Sequence, residues 1–147
     1  MIARYREGRI PDRGASSDVA DAIERLGSEV AARLDAFDLT GALEQVWELI
    51  RRLNKHVEES KPWELAKDET QRGALDGVLY DLTDGLRAAT IALAAYLPDT
   101  APQILAALGQ PPGLAWENVQ PGRTAAVEGI EPAAPLFPRV DLPAAAA

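Results

Sequence analysis

Cysteine is absent from the 147-residue chain, which excludes disulfides, thiolate zinc sites, iron–sulfur clusters and a cysteine nucleophile. His56 is the single histidine, so a zinc site that needs a second imidazole is excluded as well. No run approaches the ~20 apolar residues of a membrane span, and residues 1–9 lack the apolar segment of a secretory signal. We therefore expect a cytoplasmic protein with no membrane partner.

Basic residues are also in short supply, because 15 Lys and Arg face 23 Asp and Glu and the net charge is -8. Taken as a whole, this balance argues against a nucleic-acid-binding protein, which usually has a basic surface, and we expect no DNA partner. The charges are unevenly distributed. Residues 1–13 and 51–67 each have a net charge of +2, whereas residues 14–50 and 68–147 each have -6. The two basic segments are either candidate polyanion contacts or chance clusters on a solvated surface.

Apolar residues recur at steps of three and four along most of the chain, which is the spacing of helical faces. Pro62 and Pro98 end the second and third of these runs, and Thr100 with Gln103 forms a capping-box pattern at the start of the fourth. The connections are short and indicate antiparallel neighbours. The sequence therefore predicts an all-α antiparallel helix bundle, with helices over residues 18–36, 39–59, 69–97 and 100–109.

Glycine and proline become frequent after residue 109, where no periodic run continues. We divide the chain into a helical bundle over residues 1–109 and an irregular C-terminal extension over residues 110–147 that packs on it. Residues 144–147 are expected to be disordered. The extension has six apolar candidates for anchoring it to the bundle: Leu114, Trp116, Val127, Ile130, Leu136 and Phe137.

Catalytic chemistry has little support. His56 lies on a helix between Lys55 and Glu58, where a solvated side chain is expected rather than a general base. Asp81 and Asp84 form a possible carboxylate pair, but acidic residues on helix faces are usually solvated. No glycine-rich loop of either nucleotide-binding fingerprint is present. The chain contains no complete active site, and we assign no catalytic or metal-binding residue.

The three tryptophans have different settings. Trp47 follows Val46 on an amphipathic helix and is predicted to lie in the core or at its rim, and Trp116 is predicted to anchor the extension. Trp63 follows Pro62 at a helix end, inside the second basic segment. An indole fixed at such a corner can stack on an unpaired base. An equally weighted alternative is that Trp63 folds back against the third helix.

The segment over residues 42–67 resembles the anticodon-binding domain of methionyl-tRNA synthetases, and the pattern Asn54, Pro62-Trp63, Ala66-Lys67 is its most specific part. The anticodon-binding domains of the sister synthetases for valine, isoleucine, leucine and cysteine share the bundle, so they are the families with which this sequence is most easily confused. The resemblance continues in order along nearly the whole chain, through residues 6–11, 78–82, 92–101 and 108–109, Trp116, Gly122 and residues 135–139.

This resemblance implies a bundle of the class I synthetase type that binds the anticodon loop of methionine tRNA. The family tryptophan at the position of Trp63 stacks on an anticodon base, and Pro62 would fix the backbone that presents it. Asn54 belongs to the same pattern. Four neighbouring cations could meet phosphates, although helix geometry cannot point all of them the same way: Arg51, Arg52, Lys55 and Lys61.

Two features of the resembled family are missing from this sequence. Its other anticodon-reading residues, an Asn and an Arg, precede the part that matches residues 1–8, so we expect a reduced affinity for tRNA. The catalytic domain is missing too, so this chain is not expected to charge tRNA alone or to hold a cofactor, whereas the full enzymes use ATP and Mg. An alternative is a stand-alone helical protein-interaction or regulatory module derived from such a domain.

Overall fold

The computed structural model describes residues 1–14 and 17–137, and this part of the chain is helical and contains no strand. The all-α antiparallel bundle is confirmed. No helix in the described ranges combines the length and the apolar character that crossing a bilayer requires. The helices, in chain order, are α1 (Ile2–Arg6), α2 (Asp18–Asp35), α3 (Leu39–Ser60), α4 (Pro62–Leu65), α5 (Arg72–Leu93) and α6 (Ala101–Ala107).

Side-chain caps fix the starts of the two helices that precede α4. The Ser17 hydroxyl accepts from the Ala20 amide at 3.2 Å at the start of α2, and the Asp38 carboxylate accepts from the Gly41 amide at 2.9 Å at the start of α3. The capping box predicted at Thr100 is wrong. Thr100 makes no side-chain cap, and the Gln103 amide donates instead to the Asp99 carbonyl at 2.8 Å.

α5 is shorter than predicted and lies at the centre of the molecule. Residues 69–71 form a separate 3-10 turn before it, and the helix ends at Leu93 rather than at residue 97. It runs antiparallel to α3, because Tyr96 after its end donates to the Leu39 carbonyl at the start of α3. A Cβ on Gly85 would collide with the Leu53 side chain, so this glycine lets α3 and α5 approach closely.

A buried ion pair joins α5 to the C-terminal extension. Arg87 donates to the Asp84 carboxylate at 2.8 Å, and each of the two residues is only 3% exposed. The predicted solvation of Asp84 is therefore wrong. Four groups of the extension complete the hydrogen bonds of the pair. Arg87 donates to the carbonyls of Asn118 and Gln120. The Asp84 carboxylate accepts from the amide of Gly122 and the hydroxyl of Thr124.

The apolar side chains that hold the extension differ in part from the predicted set. Val127 and Ile130 are half-buried beside Gly109, in agreement with the prediction. Val119, which sequence reasoning missed, is fully buried against the bundle, and Leu114 packs partly against the same core. Leu136 and Phe137 are exposed, so their predicted anchoring role is wrong. Trp116 is also partly exposed, at the edge of the groove beside α2. The disorder predicted for residues 144–147 falls outside the described residues.

The N-terminal segment pairs with the extension through its backbone. The Ile130 amide donates to the Gly8 carbonyl at 2.9 Å, and the Ile10 amide donates to the Val127 carbonyl at 3.0 Å. Gly8 has a φ of 82°, and a Cβ there would lie 2.8 Å from the backbone nitrogen and oxygen of Ile130. Only glycine combines this left-handed conformation with so close a backbone approach.

His56 and Asp81 lie between α3 and α5 rather than in solvent. The His56 side chain is 13% exposed, and its Nε2 lies 3.7 Å from Asp81 Oδ2 and has no hydrogen-bond partner among the described residues. The predicted solvation of both side chains is therefore wrong. Burial, opposed by a hydrogen bond with Ser17 and the charge of His56, raises the pKa of the Asp81 carboxyl.

We expect Asp84→Ala to lower the free energy of unfolding by about 3–5 kcal/mol, because it leaves the Arg87 guanidinium buried without its counter-ion. Urea denaturation followed by circular dichroism measures this change. The matched control is Glu48→Ala, which removes the exposed partner of Arg51 and should cost about 1 kcal/mol or less. Equal losses for the two variants would contradict a structural role for the buried pair.

Asp81→Asn should stabilise the protein more at neutral than at acidic pH. A carboxyl whose pKa is raised on folding favours the native state only while it is protonated, and this contribution is lost as the pH rises through the raised pKa. The measurement is the difference in unfolding free energy between variant and wild type at about pH 3.5 and about pH 7. A difference that is constant or larger at acidic pH would contradict the raised pKa.

Candidate nucleic-acid interface

A single residue joins α3 to α4, and its conformation sets the direction of the corner formed by residues 60–65. Lys61 has φ 45° and ψ 62°, in the left-handed region. Its amide donates to the Val57 carbonyl at 3.0 Å and closes α3, and its carbonyl accepts from the Glu64 amide at 2.8 Å and opens α4. Because Lys61 belongs to both helix ends, the two helices have little freedom to rotate about it.

Pro62 and Trp63 occupy the first two positions of α4. Pro62 is buried, and at a first helical position its missing amide leaves no broken hydrogen bond. Its carbonyl accepts from the Ala66 amide at 3.0 Å, so the turn that presents Trp63 is hydrogen-bonded. Trp63 itself is 46% exposed. The indole therefore has a supported backbone and an accessible surface, as stacking on a base requires.

Asn54 lies on α3 and is exposed. It precedes Lys61, the residue that ends α3, by seven residues, which is about 10 Å along a helix axis. The structure thus places Lys61, Pro62 and Trp63 together at the end of α3, with Asn54 about two turns before them on the same helix. The ammonium and the indole at the corner can meet the phosphate and the face of a nucleotide, and the amide two turns away can meet the edge of a base.

Most of the predicted phosphate contacts are already paired with carboxylates. Arg51 donates to Glu48 at 2.6 Å, and Lys55 lies 3.5 Å from Glu59. Lys61 is exposed and makes no ion pair with any described residue.

Arg52 is held more firmly than the other cations. It contacts Asp18 at the start of α2 and donates to Glu59 at 3.2 Å, and its side chain is 23% exposed. The residue therefore ties α2 to α3. Among the four cations at this site, Lys61 is the one whose charge is uncompensated within the described ranges.

Trp47, which lies earlier on α3 and outside this site, was placed wrongly by sequence reasoning. It is 47% exposed rather than part of the core or its rim. The core side of α3 is formed by Val46, Leu49 and Leu53, and adjacent residues on a helix are turned about 100° from one another. The spacing of these three buried residues along α3 was therefore sufficient to place Trp47 outside the core.

No protein-family model matches the chain. The methionine–tRNA ligase of Caldanaerobacter subterraneus is 32% identical over 147 residues, which cover 97% of this chain and 23% of the ligase. The methionine–tRNA ligase of Lactococcus lactis is 33% identical over 147 residues, which cover 97% of this chain and 22% of that protein. The chain therefore spans less than a quarter of the length of these relatives.

A solved structure gives the same result. The free-state methionyl-tRNA synthetase of Mycobacterium tuberculosis is similar to the chain with a TM-score of 0.83 and 27% sequence identity. The match covers 97% of this chain and 30% of that one. The similarity in sequence and the similarity in fold thus extend over the same, nearly complete, length of this chain.

Lys61→Gly should raise the free energy of unfolding by about 1 kcal/mol, because the left-handed conformation is unfavourable for a residue with a Cβ. The matched control is Lys55→Gly, which makes the same change inside α3 and should lower stability by about 1 kcal/mol. Thermal and urea denaturation measure both. Destabilisation by Lys61→Gly would show that contacts of the lysine side chain outweigh its backbone strain.

Proposed function

Because the chain belongs with the methionyl-tRNA synthetases, as the counterpart of their C-terminal region, we propose that it binds the anticodon loop of methionine tRNA. The observation that supports this most is the half-exposed Trp63 on the buried Pro62. In this proposal the chain holds the tRNA during aminoacylation, and the remainder of a synthetase, its second partner, performs the chemistry.

The corner is suited to an unpaired RNA base that is not stacked on its neighbours in the strand. The left-handed Lys61 and the buried Pro62 orient Trp63 before any ligand binds, so little conformational freedom is lost when a base stacks on the ring. The Asn54 amide has both donor and acceptor groups for the edge of a base, and the Lys61 ammonium is a point charge for the adjacent phosphate.

The ion pairs of the other cations limit the electrostatic part of binding. Arg51, Arg52 and Lys55 would have to exchange a carboxylate for a phosphate, which yields less than neutralising an unpaired charge. We therefore expect base stacking to supply most of the affinity and salt to weaken binding modestly.

The chemistry of aminoacylation is assigned to the remainder of the enzyme. No group of three or more His, Asp or Glu side chains within the described ranges is arranged to hold a metal ion. ATP and Mg, which the full enzymes of the resembled family use, are placed outside this chain in the proposal because the chain covers less than a quarter of the length of its relatives.

Trp63→Ala should weaken binding of an RNA hairpin that presents the CAU anticodon by about 1–3 kcal/mol, the usual contribution of one base–aromatic stack. Wild-type tryptophan fluorescence should fall as the hairpin binds, and most of this quenching should disappear in the variant. Fluorescence and filter-binding titrations at fixed salt measure both effects.

A hairpin with a scrambled anticodon is the control for specificity, and circular dichroism checks that the variant remains folded. An isotherm that Trp63→Ala leaves unchanged would refute the role of this residue. A wild-type chain that fails to retain the hairpin would refute the proposed function and favour the alternative of a protein-interaction module.

A further inference from the structure

Trp47 has no role in the site described above, although it is one of the most exposed large apolar side chains of the protein. Exposed tryptophans are costly to leave in water, and their amphipathic rings are frequent in binding surfaces. Trp47 lies in the first half of α3, the same helix that ends at Lys61.

The spacing of α3 places Trp47 in line with the corner. Trp47 and Asn54 are seven residues apart on α3, and such positions drift by only ~20° around a helix per interval. Lys61, seven residues further on, is the left-handed residue that ends α3 and begins the corner. All three are exposed. The fourteen residues from Trp47 to Lys61 correspond to about 21 Å of helix, and Trp63 follows directly. We call Trp47, Asn54, Lys61 and Trp63 the α3 stripe.

The chemistry of the α3 stripe favours a single-stranded polyanion over an apolar partner. An aromatic ring stands at each end, and an amide and an uncompensated ammonium lie between the rings. Trp47 precedes the basic segment over residues 51–67, which contains the other three residues of the α3 stripe and has a net charge of +2 in a chain of net charge -8. Aromatic rings spaced along a locally basic track are how proteins bind unpaired nucleic acid, because every base has a face that can stack.

We propose that Trp47 is a second stacking site for single-stranded RNA, which binds a base of the same strand that reaches Trp63. This inference rests on the proposed function and extends it from one nucleotide to a track along α3. The strand would pass Lys61 and Asn54 between the two rings.

The partly buried Leu43 and Ile50 beside Trp47 would also suit a protein partner, so the test must separate the two. Trp47→Leu keeps an apolar side chain but removes the aromatic face, whereas Trp47→Phe keeps a smaller aromatic face. Phe37→Leu is the matched control, because Phe37 is 92% exposed and lies in the α2–α3 connection outside the α3 stripe.

The probe is the hairpin with the CAU anticodon, titrated against the full chain by filter binding and by tryptophan fluorescence. We expect Trp47→Leu to weaken binding about tenfold, Trp47→Phe to weaken it by about threefold or less, and Phe37→Leu to leave it unchanged. In Trp63→Phe, residual quenching on RNA binding should remain and should disappear when Trp47→Phe is added.

The outcomes separate the two proposals. If Trp47→Leu binds the hairpin like the wild type while Trp63→Ala does not, the anticodon-loop function stands and the second stacking site is overturned in favour of a protein-docking face. If the wild-type chain binds no hairpin, both are overturned. Circular dichroism of each variant checks that a loss of binding is not a loss of fold.

Discussion

The buried ion pair between Asp84 and Arg87 is the interaction on which the arrangement of the chain depends most. α5 is almost entirely buried, and both charged side chains are shielded from water. Such a pair is stable only when each of its donors and acceptors has a hydrogen-bond partner. Backbone and side-chain groups of residues 118–124 satisfy them. The extension is thus required by the helix it covers, and a polar contact positions a segment that has few apolar anchors of its own.

The corner between α3 and α4 uses a different kind of constraint. Here the left-handed backbone of Lys61 and the buried ring of Pro62 hold Trp63 in a position where about half of its side chain is exposed. Strain of this kind persists where the surrounding structure fixes it, and it is concentrated at functional sites. Three neighbouring cations, Arg51, Arg52 and Lys55, are paired with carboxylates, so few uncompensated charges are accessible at the site.

Sequence periodicity predicted the helices well where one face alone is buried. α2 and α3 begin and end within a residue of the predicted bounds, and the corner at Pro62 follows from proline geometry. It was less accurate for α5, which was predicted over residues 69–97 and spans Arg72–Leu93, and whose burial on almost all sides could not be inferred from a single apolar face. The partners of Asp84 lie 38 and 40 residues away, so its burial could not be inferred from local pattern. The exposure of Trp63 is likewise a property of packing, whereas its position beside Pro62 was evident from sequence.

The backbone pairing of residues 8–10 with residues 127–130 also has a mechanical consequence. Two amide–carbonyl hydrogen bonds join these segments, so the two ends of the chain hold each other in place through their backbones. The glycine at position 8 makes that junction close-fitting. A side chain larger than hydrogen at position 8 would therefore push the two segments apart and weaken both hydrogen bonds.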